Sequence, residues 1–427
     1  MLKRLSLNRV GPAPSMTLDF DPGFNVLTGD NGLGKSFVLD IAWWALTGRW
    51  AGDPAVGERP RTSEGNGKGA ASEPRIAWEA AVGRRTFKRH ATLPAGAGPT
   101  EWAVSEKNIG TPSLALYARV DGGYSVWDPL RDATLDERRD GQLNFSPQEI
   151  WDGKPLDAPQ KLCEGLIRDW RDWQSSRDAA DFELLAALLE TLSPEASERM
   201  RPGSEARPVT TDDVRRIPRI ALPYGEIPVT QASAGMRRIL SLAYMLVWTW
   251  LRHRERAELL GGVPVGTMVL LVDEVEAHLH PRWQRVIVPA VVKAVERVLG
   301  RPYVQMILTT HSPLVLASLE PLFEEKRDQL FNFQVVDGAV RVDRVDWVRQ
   351  GDATGWLQSA VFGLAEARSK EAEAALARAG DFLKRAKVAP DEAAALQAEL
   401  TKLLPGADPF WATWAFGLRR KGIEVKG

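Results

Sequence analysis

The sequence lacks the features that would place it among disulfide-bonded, membrane-spanning or strongly charged proteins. It contains one cysteine, Cys163, which excludes an internal disulfide and suits a reducing cytosol. The formal net charge is -1, so charge alone neither predicts nor excludes nucleic-acid binding. The sequence also lacks an apolar run of about 18 residues and a sustained heptad repeat. We therefore expect a cytoplasmic protein with no membrane span and no long coiled-coil arm.

A glycine-rich segment near the N-terminus, Gly29–Ser36, has the G-x-x-x-x-G-K-S pattern of a phosphate loop. An apolar strand, Phe24–Thr28, precedes it, and a helical pattern follows from Ser36. This order lets backbone N–H groups and a helix N-terminus surround a phosphate. Lys35 would reach the β- and γ-phosphates of ATP, and the Ser36 hydroxyl would bind Mg²⁺. The predicted nucleotide-binding residues of this segment are Asn31, Gly32, Gly34, Lys35 and Ser36.

A second nucleotide motif ends the apolar strand Met268–Val272, which is followed by Asp273 and Glu274. Asp273 would hold Mg²⁺ together with Ser36. Glu274 would orient and deprotonate the attacking water. Many strands end in acidic residues, but a strand of this kind that follows a phosphate loop in the same chain predicts a nucleotide hydrolase.

Two further segments would complete the site. The apolar strand Gln305–Thr309 leads to His311, which would donate to the γ-phosphate, because ligands bind at the carboxyl edge of such sheets. Ser233 and Gly235 stand at the start of a strongly predicted helix, Ser233–Trp250. Ser233 is a good helix cap, and the same helix start leaves backbone N–H groups for a phosphate.

Together these segments resemble the ABC-type ATPases of the RecF, SMC and OLD group, among them the Septu-like antiphage defence ATPases. The resemblance is most specific in Gly29–Ser36, Ser233–Arg238, Asp273–Pro281 and Thr309–Pro313. It implies an α/β fold: an ABC-ATPase P-loop core with an antiparallel β lobe, a helical lobe and a C-terminal helical region. The segment Asp273–Pro281 is characteristic of this group and differs from the corresponding loop of membrane transporters.

The resemblance also implies a head-to-tail homodimer with two ATP molecules between its subunits. Ser233 and Gly235 would contact the γ-phosphate that the other copy binds, and Ala277–His280 would cross the same interface. Members of the group carry a glutamine between their lobes that contacts Mg²⁺ and the attacking water. Gln148 is the best match for this catalytic glutamine, and Gln142 is the alternative.

The pattern of strands and helices suggests four segments. The strands up to Trp127 are predicted to form one β lobe. Pro281–Leu299 is predicted to be one helix, and Gly52–Glu73 a surface loop. The aromatic tail Phe410–Phe416 is either a helix docked on its own domain or a surface for a partner. The predicted segments are 1–150, the first ATPase lobe with the phosphate loop and a β insert; 151–230, a helical insert; 231–320, the second ATPase lobe; and 321–427, a mostly helical region that could bind a partner.

Four biological roles compete. Compact size and a helical C-terminal extension favour an ATP-driven switch that regulates a separate effector, such as a nuclease, in prokaryotic antiphage defence. The alternative is a RecF-like repair ATPase that binds DNA, for which the candidate residues are Arg84, Arg85, Lys88, Arg89, Arg237 and Arg238. An OLD-type nuclease would need an acidic metal-binding domain, which the scattered acids at 336–346 do not supply. Asp273–Pro281 argues against a transporter subunit.

Overall fold

Two sheets and the helices around them account for most of the chain that the computed structural model describes. The described residues are 1–57, 73–83, 85–94, 96–106, 110–133, 141–156, 161–300 and 303–423. They divide into two units, Met1–Ala353 and Thr354–Gly427. In these described ranges, no helix combines the length and apolar character that crossing a membrane requires. Most of the predicted loop Gly52–Glu73 lies outside the described residues.

The strands follow the predicted pattern of short apolar runs. In chain order they are β1 (Leu2–Asn8), β2 (Ser15–Asp19), β3 (Phe24–Gly29), β4 (Arg75–Val82), β5 (Arg85–Thr92), β6 (Ala103–Val104), β7 (Leu114–Ala118), β8 (Tyr124–Trp127), β9 (Gln142–Phe145), β10 (Lys154–Pro155), β11 (Lys161–Cys163), β12 (Arg201–Pro202), β13 (Arg219–Leu222), β14 (Gly225–Pro228), β15 (Thr267–Val272), β16 (Tyr303–Thr309), β17 (Gln329–Val336) and β18 (Ala339–Val345).

The α-helices lie mainly in the second half of the chain. In chain order they are α1 (Lys35–Thr47), α2 (Pro129–Ala133), α3 (Pro147–Asp152), α4 (Leu166–Ser175), α5 (Ala180–Thr191), α6 (Ala234–Leu259), α7 (Pro281–Gln284), α8 (Ile287–Leu299), α9 (Pro313–Leu319), α10 (Ala353–Gln358), α11 (Lys370–Lys384), α12 (Pro390–Leu403) and α13 (Phe410–Arg420).

The large sheet of the first unit has the strand order β18-β17-β3-β16-β15-β7-β8-β9. Its five central strands, from β17 to β7, run parallel, and the outer pairs are antiparallel. Parallel strands are usually buried on both faces, which explains why β15 and β16 are almost unbroken apolar runs. The carboxyl ends of β3, β16 and β15 meet at one edge, and each leads directly into one of the predicted nucleotide motifs.

A separate antiparallel sheet, in the order β2-β1-β4-β5-β6, forms the β lobe. Helix α1 shares one apolar core with both sheets: Trp43 and Trp44 belong to the same cluster as Leu5 of the lobe and Leu271 of the large sheet. The prediction that all strands up to Trp127 form the lobe was wrong, because β7 and β8 pair within the large sheet. Every residue of β7 is buried, so this strand needs neighbours on both of its edges and cover on both faces.

The predicted single helix Pro281–Leu299 is divided into α7 and α8. Pro289 is the physical reason, because a proline has no N–H to donate to the carbonyl of Arg285 four residues earlier, and its ring would clash with that carbonyl. The break places Pro289 in the first turn of α8, where backbone N–H groups have no hydrogen-bond acceptor within the helix.

The second unit is helical, as predicted. Helices α11, α12 and α13 pack around buried residues that include Phe382, Leu400 and Trp414. The aromatic tail forms α13, in which Trp414 is 1% exposed and Phe416 is 65% exposed, so one face of the tail docks on its own unit. The four predicted segments remain a prediction. The hairpin of β17 and β18, which sequence placed in the last segment, joins the large sheet.

Candidate nucleotide-binding site

The phosphate loop joins the end of β3 to the start of α1. Gly29 and Gly34 have φ angles of 118° and 91°, which side-chain-bearing residues rarely adopt. A Cβ at Gly29 would lie 2.0 Å from the carbonyl oxygen of Phe333, so only glycine lets the loop leave the sheet here. Asn31 and Gly32 form an exposed tip, and Ser36 is half-buried in the first turn of α1. The loop therefore joins a strand to a helix, as its sequence predicted, and its binding of phosphate remains a prediction.

Lys35 is buried at the base of this loop. Its ammonium donates hydrogen bonds to the carbonyl oxygens of Gly29, at 2.9 Å, and Asp30, at 2.5 Å. Burial lowers the pKa of Lys35 to about 8, although the negative charges of Asp30 and Glu274 act in the opposite direction. The charged lysine is thus held where an anionic ligand would stabilise it.

Asp273 and Glu274 leave the end of β15 in a strained turn. Asp273 is 1% exposed, and its Oδ1 accepts a hydrogen bond from the hydroxyl of Thr309 at 2.6 Å. The same hydroxyl oxygen accepts from the N–H of Glu274 at 2.7 Å. Glu274 has a φ of 46°, which costs free energy in a residue other than glycine. Thr309, at the end of the neighbouring strand β16, therefore fixes both acids, a role that its sequence position did not reveal.

His311 lies next to the phosphate loop. Its ring is within hydrogen-bonding reach of the backbone of Gly29, and burial together with the charge of Lys35 lowers the pKa of His311 below its ordinary value. The carboxylate of Glu276 accepts from the N–H of His311 at 2.5 Å and from the hydroxyl of Thr310 at 2.8 Å. The structure therefore brings His311 together with Lys35 and the Asp-Glu turn, and Glu276 positions its backbone.

Ser233 and Gly235 lie at the start of α6, next to the loop that follows Glu274. Ser233 is exposed, and its side chain caps the helix by accepting from the N–H of Met236 at 3.3 Å. A Cβ at Gly235 would lie 2.7 Å from the carbonyl oxygen of His278, so a glycine is required by this close approach. The contact of these two residues with a second copy of the chain remains a prediction.

The two candidate glutamines differ in their surroundings. The Gln142 side chain accepts from the indole N–H of Trp43 at 2.8 Å and donates to the carbonyl oxygen of Trp50 at 2.7 Å, so it joins α1 to the residues that follow it. Gln148 is exposed in the first turn of α3. The end of β7 lies beside Asp273, where the carbonyl oxygen of Ala118 accepts a hydrogen bond from the N–H of Asp273 at 2.9 Å. The catalytic role of Gln148 remains a prediction.

A further acid that sequence reasoning missed lies on α1. Asp40 Oδ1 accepts from the hydroxyl of Tyr117 at 3.0 Å, and burial raises the pKa of Asp40 to about 6, with the charge of Asp273 acting in the same direction. The sequence contained one indication of this acid. Asp40 follows Ser36 by about one helical turn, so the two residues lie on the same face of the helix.

The residues present fit a magnesium ion that arrives with a nucleotide. Within the residues that the structure describes, no group of three or more His, Cys, Asp or Glu side chains could hold a metal by itself. Mg²⁺ is typically bound by one or two carboxylates together with phosphate oxygens. Asp273 supplies a buried carboxylate and Ser36 a hydroxyl, which are ligands of the kind this ion prefers.

Two family models match parts of the chain that contain residues of the candidate site. A family model described as "AAA domain, putative AbiEii toxin, Type IV TA system" matches residues 115–317, and a second AAA domain model matches residues 4–93. The phosphate loop lies in the second range. Ser233, Asp273 and His311 lie in the first.

Similar proteins include a Septu protein and a retron ATPase. Septu protein PtuA from Bacillus thuringiensis is 23% identical over 390 residues, which cover 86% of each chain. The Retron Ec83 probable ATPase from Escherichia coli is 34% identical over 98 residues, 22% of this chain and 16% of that protein. The SMC head domain from Thermotoga maritima is 15% identical, with a TM-score of 0.39, over 81% of this chain and 99% of that one. The two AAA domain matches together contain the phosphate loop and the other nucleotide motifs, and with the likeness to PtuA they support an ATPase of the RecF, SMC and OLD type.

Proposed function

We propose that this chain binds and hydrolyses Mg-ATP. The observation that carries the proposal is the convergence of Lys35, Asp273 with Glu274, and His311 at the carboxyl ends of three adjacent parallel strands. Lys35 and the loop N–H groups bind the phosphates, and His311 donates to the γ-phosphate. Glu274 accepts a proton from the attacking water, whose oxygen bonds to the γ-phosphorus while the bond from that phosphorus to the ADP oxygen breaks. Ser36 and Asp273 would hold Mg²⁺, which would neutralise charge on the phosphate oxygens.

The proposed site makes a prediction about protons. Burial favours the uncharged form of Lys35 and lowers its pKa to about 8, whereas bound phosphates would favour the ammonium and raise that pKa again. ATP binding is therefore expected to take up on the order of half a proton at pH 8 and almost none at pH 6.5, and affinity should fall as the pH rises above 8. Calorimetric titration in two buffers of different ionisation enthalpy measures the uptake. A binding heat at pH 8 that is the same in both buffers would contradict it.

We further propose that ATP closes a homodimer, with Ser233 and Gly235 of one copy against the γ-phosphate held by the other. The supporting observation is that Ser233 is exposed at the start of a long helix, α6, whose N-terminus carries a partial positive charge that favours an anion. Exposed His278 lies on the adjacent loop, against which Gly235 packs. Closure on ATP binding and opening on hydrolysis would make the chain a switch.

The output of this switch is proposed to be a separate effector, such as a nuclease, in antiphage defence. The likeness to PtuA, which extends over 86% of each chain, supports this role. The alternative of DNA binding has less support among its candidate basic residues. Lys88 is paired with Glu79 at 2.9 Å, the Arg237 guanidinium lies over the ring of Trp151, and Arg238 donates to backbone carbonyls. Arg84 lies outside the described residues.

The test is the native mass of the full chain carrying Glu274→Gln, so that ATP is not consumed, co-expressed with its genomic neighbours, with and without Mg-ATP. We expect twice the monomer mass for the isolated chain only with Mg-ATP, and a larger complex that contains a neighbour in the co-expressed sample. Ser233→Ala should weaken the ATP-dependent dimer, whereas Ser369→Ala should not. Both serines cap helices, so each variant loses a cap worth about 1 kcal/mol, and the comparison isolates the contact with ATP. A monomer at saturating Mg-ATP would contradict the dimer, and a dimer without a neighbour would favour the repair-type role.

A further inference from the structure

Arg238 forms a bridge from α6 to the turn that carries Glu274. Its Nη2 donates hydrogen bonds to the carbonyl oxygen of Asp273 at 2.7 Å and to that of Glu274 at 3.1 Å. These two carbonyls belong to the peptide planes on either side of the Glu274 Cα atom. One guanidinium therefore holds both planes, and with them the φ and ψ angles that aim the Glu274 side chain.

This restraint acts on a residue that needs one. The φ of 46° at Glu274 lies in the left-handed region, which is unfavourable for a residue with a Cβ and persists only where the surroundings hold it. Thr309 fixes the N–H of Glu274 from the side of β16. Arg238 holds the carbonyls from the side of α6, so the turn is restrained from two elements.

The same end of α6 carries the residues proposed to meet ATP in the second copy. Arg238 follows Ser233 by five residues, a little more than one helical turn. Gly235 lies between them and packs against the carbonyl oxygen of His278, so the helix start contacts the loop after Glu274 at a second point. A displacement of the helix start would therefore be transmitted to the backbone of Glu274.

We propose that Arg238 is a positioning residue that aligns Glu274 for hydrolysis and couples this alignment to the phosphate contact at the start of α6. This inference rests on the proposed ATPase function. It links a phosphate contact at the α6 start to the backbone geometry of Glu274 in the same chain.

The neighbouring Arg237 provides a matched control. Its guanidinium lies 4.8 Å from the ring centroid of Trp151, and its side chain is exposed. The two arginines carry the same charge and occupy adjacent positions on α6, but only Arg238 contacts the turn of Glu274. Loss of either removes one positive charge from the same region, so an effect confined to Arg238 cannot arise from charge alone.

The experiment compares steady-state hydrolysis by the full-length wild type, Arg238→Ala, Arg238→Lys and Arg237→Ala. A displaced general base is expected to lower the kcat of Arg238→Ala by about 10- to 100-fold. The affinity for a fluorescent ATP analogue should stay unchanged, because Arg238 does not contact the phosphate loop. Arg238→Lys keeps one donor and should recover part of the rate, and Arg237→Ala should retain it.

A double-mutant cycle with Glu274→Gln separates positioning from a general structural effect. If Arg238 acts through Glu274, its replacement should add little to the loss already caused by Glu274→Gln in single-turnover measurements. Equal losses in both backgrounds would overturn the inference. Should Arg238→Ala fail to fold, Arg238→Lys is carried through the same cycle and decides in the same way.

The two proposals fail differently. A wild type that binds Mg-ATP but does not hydrolyse it overturns the ATPase function, and the positioning role falls with it. A wild type that hydrolyses ATP, together with an Arg238→Ala variant of unchanged kcat, overturns the positioning role alone.

Discussion

Replacement of Glu274 by glutamine is expected to lower the rate of ATP hydrolysis by about 10²- to 10⁴-fold while Mg-ATP binding is retained. The amide has nearly the same shape as the carboxylate and keeps the turn intact, but it cannot accept the proton of the attacking water. Single-turnover hydrolysis measures the rate, and binding of a fluorescent ATP analogue measures the affinity. Because ATP is not consumed, this variant should also accumulate the closed dimer.

The geometry favours Glu274 over its neighbour as the base. Both oxygens of Glu276 already accept hydrogen bonds from the protein, one from Thr310 and one from His311. Glu258→Gln is the control, because it makes the same chemical change at an exposed position near the end of α6. Hydrolysis by Glu274→Gln at the rate of this control would show that another group activates the water.

Replacement of Lys35 by methionine or alanine is expected to weaken ATP binding by roughly 100-fold or more, because hydrogen bonds to charged groups contribute about 1.5 to 3 kcal/mol each. Folding stability should not fall in parallel. Burial lowers the pKa of Lys35 to about 8, which means that below pH 8 the folded state carries this charge at a cost. Methionine removes the charge and keeps most of the apolar stem, so the thermal midpoint near pH 7 is expected to stay equal or to rise.

Titration with the fluorescent ATP analogue and thermal unfolding check the two halves of this prediction. Lys293→Met is the control, since Lys293 is exposed on α8 and its replacement removes the same charge far from the phosphate loop in sequence. ATP binding by the Lys35 variants that equals binding by the control would rule out the assignment of the phosphate loop. A large loss of stability would instead mean that the bonds from Lys35 to Gly29 and Asp30 hold the loop together.

The local motifs could be found from the sequence because their chemistry is encoded in consecutive residues. Gly29, Gly34 and Lys35 are specified by backbone angles and by the reach of one side chain, and Asp273 follows its strand directly. The strands that carry them are continuous apolar runs with clear ends. The sequence was less informative about which strands pair, because its pattern alone predicts β7 and β8 in the lobe. It also predicts one helix where Pro289 separates α7 from α8.

Sequence by itself thus predicted the phosphate loop, the Asp-Glu turn and a nucleotide ligand, because each prediction depends on neighbours along the chain. Only the tertiary structure decided the roles of Thr309, Glu276 and Arg238. Each of these side chains holds a backbone group or carboxylate that lies between 34 and 36 residues away in sequence. Such contacts follow from the order in which the parallel strands pair and from the packing of α6 beside them. Neither the order of strand pairing nor the packing of α6 can be read from the spacing of residues along the chain.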